Sequence, residues 1–108
     1  MPCDESVCYK IHFTKTSLKE FQKLGATVKE QFKKKLKSLQ ANPHVDSARL
    51  SDELAGCYKI KLRASGYRLV YQVKDDRLII IVIGVDKRQS VYDKMLKRLP
   101  VEVDDTLQ

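Results

Sequence analysis

The first apolar pattern along this chain is an alternation. In CYKIHFT (Cys8 to Thr14), Tyr9, Ile11 and Phe13 fall on one side of an extended chain and Cys8, Lys10 and His12 on the other, which predicts a strand. The period then lengthens. Leu18, Phe21 and Leu24 recur at three-residue steps and stop at Gly25, a helix with hydroxyls available as caps from Thr14 to Ser17. Ser17 and Glu20 have capping-box spacing, and Gly25 is the expected C-terminal cap. Thr27, with Glu30 three residues on, predicts the start of a second helix whose Val28, Phe32, Leu36 and Leu39 share one face. That helix should end before Asn42-Pro43. The short GAT link between the two makes them an antiparallel helical hairpin.

Three strands follow. CYKIKL and YRLVYQV are joined by RASG, where Gly66 supplies the positive φ such a turn often needs. Asp75-Asp76 forms the next turn into LIIIVIGV, Leu78 to Val85, a run of strand length rich in β-branched residues. From Ser90, the spacing of Val91, Met95 and Leu99 predicts a last helix, closed by Pro100. The order β-α-α-β-β-β-α gives an α+β domain over residues 1–100: a small antiparallel sheet of about four strands, with the helical hairpin and the terminal helix packed on it. Residues 101–108, VEVDDTLQ, are acidic and without periodicity, and are expected to fray.

Composition narrows the function classes. A chain of 108 residues is one domain, and 43% apolar content is enough for a core. No apolar run approaches the length of a spanning helix, and MPCDESVCYK lacks the basic and apolar regions of a signal peptide, so a cytoplasmic protein with no membrane role is expected. The spacing of Cys3, Cys8 and His12 fits none of the usual zinc patterns, so no metal and no cofactor are expected. Cys57 suits a small buried thiol.

Charge then changes the picture. Lys and Arg number 21 against 14 Asp and Glu, a net +7, which by itself points to a polyanionic partner, nucleic acid or an anionic membrane surface. One cluster, Lys33, Lys34, Lys35 and Lys37, spreads around the outer side of the second helix, where a solvated face is the plain reading and phosphate contact the second. The other cluster is harder to explain as solvation. Residues two apart on a strand share a face, so Lys59, Lys61 and Arg63 lie opposite Tyr58, Ile60 and Leu62. On the next strand either Leu69 and Tyr71 or Arg68 and Val70 point inward, depending on register. If Arg68 joins the lysines, several cations share one sheet face with no carboxylate among them. Lys87-Arg88 brings two more to its edge, and Tyr92 follows one helical turn later as a flat ring on which a base can stack.

These residues carry a family resemblance. CYKIKLRASGYRLVYQV followed by DKRQSVY, with the earlier KEFQKLGATVKEQFKKKL, closely resembles the RelE toxins of bacterial toxin–antitoxin pairs, from about Tyr9 to Leu99. The resemblance implies a RelE-like microbial RNase fold and a metal-independent endoribonuclease that enters the A site of the 70S ribosome and cuts the mRNA codon held there. It also implies a RelB-like antitoxin, acidic and partly disordered, and contact with operator DNA only through the antitoxin complex. Carried onto matching positions, the catalytic residues are Lys59, Lys61, Arg68, Arg88 and Tyr92. Lys61 is then the base that takes the 2′-hydroxyl proton, since crowding by like charge makes a lysine give up its proton more readily, and Lys59 assists it. Arg68 binds the phosphate, Arg88 stabilises charge near the leaving oxygen, and Tyr92 orients a base. Contacts to RNA and ribosome fall to Arg63, Arg49, Lys87, Lys33, Lys34 and Lys37. Two features depart from the family pattern. Only Gln89-Ser90 separates the Lys-Arg pair from Val91-Tyr92, two residues fewer than usual, and Ser51 stands where these toxins often carry an arginine. A non-catalytic basic module for RNA or DNA, or a co-repressor subunit, is the alternative from another class.

Overall fold

The computed structural model describes residues 9–45, 56–87, 91–98 and 106–107. In order these form β1 (Lys10–Thr14), α1 (Lys15–Gln22), α2 (Ala26–Leu39), β2 (Cys57–Lys61), β3 (Arg68–Lys74), β4 (Ile79–Asp86), α3 (Val91–Arg98) and β5 (Thr106–Leu107). The α+β class and the predicted order of elements up to α3 are both present.

The sheet is mixed rather than wholly antiparallel, with strand order β2-β3-β4-β1-β5. Short turns make β2, β3 and β4 an antiparallel meander, as the sequence implies. The helical hairpin, however, carries the chain from β1 across to the far edge. The meander then returns β4 to lie parallel beside β1, from Lys10 opposite Ile79 to Phe13 opposite Val82. The acidic tail is not wholly unpaired either: Thr106 and Leu107 lie antiparallel against Thr14 and Phe13 of β1.

The helix starts follow the sequence reading in part: the cap of α1 is one of the expected hydroxyls, but neither capping box forms. Thr14 is the N-cap of α1, its Oγ1 accepting from the Ser17 amide at 3.0 Å. Ser17 is buried inside the helix and donates its hydroxyl back to the Thr14 carbonyl at 3.1 Å. Gly25 does not close α1 but caps the start of α2, with no side-chain cap bond, so Thr27 lies within the first turn. Gly66 does take the left-handed conformation expected of it, with φ +79° in the β2–β3 turn.

The core lies between the helical hairpin and one sheet face. Phe21, Phe32 and Leu36 of the helices meet Tyr58, Ile60, Leu69, Tyr71, Ile80 and Val82, all buried. This settles the register left open by the sequence: Leu69 and Tyr71 are the inward pair. The opposite face of β4 is also closed, because α3 packs there with Met95 over Gly84. A β-carbon at residue 84 would run into Met95 and Arg98, so only glycine lets the helix lie this close.

One bulge sets which side chains share the outer face. Val70 pairs with Gly84 but Tyr71 pairs with Val82, leaving Ile83 as an extra residue on β4. An extra residue flips the alternation beyond it. Val85 is thereby returned to the core, while Gly84 and Asp86 turn to the outer face beside β3.

Glu20, expected in a capping box, instead ties α1 to β4 and α3. Its Oε1 accepts from the Val85 amide at 3.1 Å, and both its oxygens accept from the Arg98 guanidinium at 2.9 Å. Arg98 also donates to the Ile83 carbonyl at 3.0 Å. Glu20→Ala leaves the Val85 amide without its acceptor and the guanidinium without its carboxylate, and is expected to lower stability by about 1–3 kcal/mol in urea unfolding. Glu20→Gln, which keeps an acceptor for Val85, should lose less. Among the described residues no helix is long and apolar enough to cross a membrane.

Candidate active site

The face of the sheet away from the helical hairpin carries the basic row. Lys61 and Arg68 are direct cross-strand partners, and Arg68 in turn faces Asp86. The Leu62 amide donates to the Tyr67 carbonyl, so the inward backbone bonds of β2 belong to even-numbered residues. Lys61 and Arg68 are therefore a non-hydrogen-bonded pair, the arrangement that brings Cα atoms to about 4.5 Å and side chains closest. Lys59 lies two residues back on the same face, about 6–7 Å along the strand. Lys59 and Arg68 are half-buried and Lys61 is exposed.

Arg68 is aimed by backbone oxygens. Its Nη1 donates to the Gly66 carbonyl of the β2–β3 turn at 3.4 Å and to the Lys87 carbonyl after β4 at 3.1 Å. Asp86, although in register with Arg68, is held elsewhere: Oδ2 takes Lys94 Nζ and Oδ1 takes the Lys87 amide, both at 2.6 Å. Among the described residues Lys59, Lys61 and Arg68 make no ion pair. Three cations thus gather on one surface beside a single carboxylate, Asp86, which Lys94 and the Lys87 amide already engage. A phosphate group is the kind of anion such a surface receives.

The remaining candidates divide. Arg63 is exposed in the turn that follows β2, at the same end of the hairpin as Lys61 and Arg68. Lys87 is exposed, with Nζ 5.8 Å from the centre of the Tyr67 ring. Lys33 and Lys34 are not brought to the basic row. Lys33 lines a groove of about 480 Å³ between β1 and the helical hairpin, floored by Phe13, Phe21 and Leu36. Lys34 lines a shallow depression with Ala26, Thr27, Glu30 and Gln31 on another side of α2. Lys37 is exposed on α2. Arg49, Arg88 and the side chain of Tyr92 lie outside the described residues.

Two features were not legible in the sequence. A groove of about 250 Å³ opens between α2 and β2, the edge strand among the described residues, lined by Lys35 and Ser38 from the helix and by Lys59 and Lys61 from the strand. Beside it, His44 bridges the sheet to the β3–β4 turn. One ring nitrogen lies 2.8 Å from the Tyr58 hydroxyl and the other 2.6 Å from Asp75 Oδ1, which also accepts from the Tyr9 hydroxyl at 2.7 Å. Hydrogen bonds from Tyr9 and His44 hold the Asp75 carboxyl below its ordinary range. Tyr58 stacks on Tyr71, whose hydroxyl donates to the Pro43 carbonyl at 2.9 Å. This network pins residues 43 and 44 against the core-facing side of β2 and β3. Cys57, at the start of β2, is fully buried, and burial pushes its thiol up to about 11, so it stays protonated and inert at neutral pH.

Comparison with known proteins agrees with this geometry. The ParE toxin family of type II toxin–antitoxin systems (parDE) matches residues 11–92. The mRNA interferase toxin RelE of Escherichia coli K12 is 46% identical over 95 residues, covering 86% of this chain and 99% of its own. A RelE-like toxin protein of E. coli is 50% identical over 93 residues, covering 84% of this chain and 97% of its own. Among solved structures, a variant of the E. coli RelE toxin in the free state superposes with a TM-score of 0.78 at 45% identity, covering 86% of this chain and 99% of that one. The toxin in the intact E. coli RelBE toxin–antitoxin complex superposes with a TM-score of 0.72 at 48% identity, covering 75% and 98%. With a sheet of this order, a basic row in this position and relatives matched over nearly their full length, the chain belongs to the RelE/ParE family of toxins of type II toxin–antitoxin systems.

Proposed function

We propose that this protein is the toxin of a type II pair, a ribosome-dependent endoribonuclease that cuts mRNA in the A site and is silenced by a RelB-like antitoxin. The reading rests chiefly on one observation: Lys59, Lys61 and Arg68 share one sheet face and form no ion pair among the described residues.

In the proposed reaction the ribose 2′-oxygen attacks the adjacent phosphorus. A 2′-O–P bond forms, the P–O5′ bond breaks, and the products are a 2′,3′-cyclic phosphate and a 5′-hydroxyl. One proton leaves the 2′-hydroxyl and one is delivered to the 5′-oxygen. The pentacoordinate transition state carries more negative charge than the diester, so fixed cations favour it over the ground state. Lys61 takes the 2′-hydroxyl proton with Lys59 beside it. Arg68 holds the phosphate, Arg88 stabilises charge near the leaving oxygen, and Tyr92 stacks on and orients a base. Aligning the 2′-oxygen with the leaving oxygen is the task of the ribosome, which removes the entropy cost of ordering a flexible message. The site of action is then the cytoplasm, and operator DNA is reached only through the antitoxin complex.

The test uses purified protein with ribosomes carrying a defined message and an empty A site. Cutting within the A-site codon, suppressed by the antitoxin, is the expected result. An intact message under conditions where the protein binds the ribosome would overturn the reading in favour of a non-catalytic basic module.

A further inference from the structure

Lys33, Lys34 and Lys35 are consecutive on α2, so they point about 100° apart around its axis. The fold sends each to a different surface. Lys33 goes to the apolar groove beside β1, and Lys34 to the side of α2 that carries Thr27 and Glu30. Lys35 alone of the three lines the groove that contains Lys59 and Lys61.

We propose that Lys35 is a phosphate-binding residue, holding the backbone phosphate of a nucleotide beside the scissile linkage as the message crosses the free edge of β2. The inference rests on the nuclease reading above. Three observations carry it. First, the groove is continuous with the basic row, since Lys59 and Lys61 belong to both. Second, among the described residues β2 ends the sheet on this side, and its odd-numbered residues direct their backbone groups outward, because the Leu62 amide bonds inward to Tyr67. The amides of Lys59 and Lys61 are therefore neutral donors on the groove wall, and backbone N–H groups commonly contact phosphate oxygens. Third, Lys35 is exposed and makes no ion pair among the described residues. Ser38, one turn on, lines the same groove and donates its hydroxyl to the Lys35 carbonyl at 2.8 Å. An acidic extended polypeptide is the other occupant this edge suits. The RNA chain is favoured because two of the three lysines in the groove also belong to the row proposed to hold the scissile phosphate.

The experiment measures cleavage of a defined message on programmed ribosomes by Lys35→Ala, Lys35→Arg and a charge-matched control, Lys29→Ala. Lys29 lines the distant apolar groove and bonds to the Gln22 carbonyl. Rates are taken from about 50 to 200 mM salt, the range over which phosphate contacts weaken measurably. Lys35→Ala should raise KM with kcat unchanged, the mark of a contact made equally in ground and transition states. It should also make the log–log salt dependence of kcat/KM shallower by about 0.7, one single-strand phosphate contact. Lys35→Arg should restore both. A Lys35→Ala protein that matches Lys29→Ala in KM and salt slope overturns the proposal and leaves the nuclease reading standing. Loss of antitoxin affinity with unaltered cleavage overturns it too, and makes the groove a protein-docking site. Failure of the wild-type protein to cut the message sinks both readings.

Discussion

Arg68→Ala is expected to slow cleavage of the A-site codon by about 10²–10³-fold while the protein remains folded, the usual loss when one well-placed donor to a developing anion is removed. The guanidinium is held by the Gly66 and Lys87 carbonyls, so it is positioned before substrate arrives and needs no reorganisation during the reaction. It belongs to the outer face and is only half-buried, so the melting temperature should change little. Arg68→Lys should recover only part of the rate. An ammonium keeps the charge but lacks the planar fork that binds two phosphate oxygens at once. Single-turnover rates on programmed ribosomes, paired with thermal melts, measure both effects.

Lys61→Ala is expected to cost about 10²–10⁴-fold, the range for removing a general base. The informative partner is Lys61→Arg. If residue 61 only supplies positive charge, arginine should rescue much of the rate. If it must take the 2′-hydroxyl proton, arginine should be nearly as defective as alanine, because a guanidinium hardly deprotonates. The account predicts the second result. Lys59→Arg, by contrast, should be partly tolerated, since the part proposed for Lys59 is electrostatic.

Much of this site was readable from local pattern. The alternation in CYKIKL placed Lys59 and Lys61 on one face, and the structure keeps them there. The register of Arg68 was not readable, because YRLVYQV is apolar enough to bury either side. Burial of Leu69 and Tyr71 against α2 decided it. The bulge at Ile83 was also hidden, since IIIVIGV (Ile79 to Val85) is buried on both faces and shows no alternation from which a skipped step could be seen. That bulge turns Asp86 toward Arg68, and Lys94 then occupies its carboxylate.

Two misreadings share a cause. Ser17 with Glu20, and Thr27 with Glu30, have the spacing of capping boxes, yet Thr14 and Gly25 cap the helices. Spacing records which residues can cap, whereas packing decides which do. Glu20 is drawn to Val85 and Arg98 because the end of β4 and the last turn of α3 offer it a backbone amide and a charged guanidinium together. The parallel pairing of β1 with β4 was likewise invisible, since strand neighbours distant in sequence leave no local mark. The same holds for Lys35: a run of three lysines looks uniform until the helix phase and the position of β2 are known.

The central claim is that a cluster of fixed cations promotes attack by the message's own 2′-hydroxyl. The most direct measurement places a single 2′-deoxynucleotide on the 5′ side of the cut in an otherwise identical A-site codon. The account predicts a cyclic phosphate and a 5′-hydroxyl from the unsubstituted message, and no cleavage at that position in the substituted one. Undiminished cutting of the deoxy message would mean that water is the nucleophile, and would contradict the account.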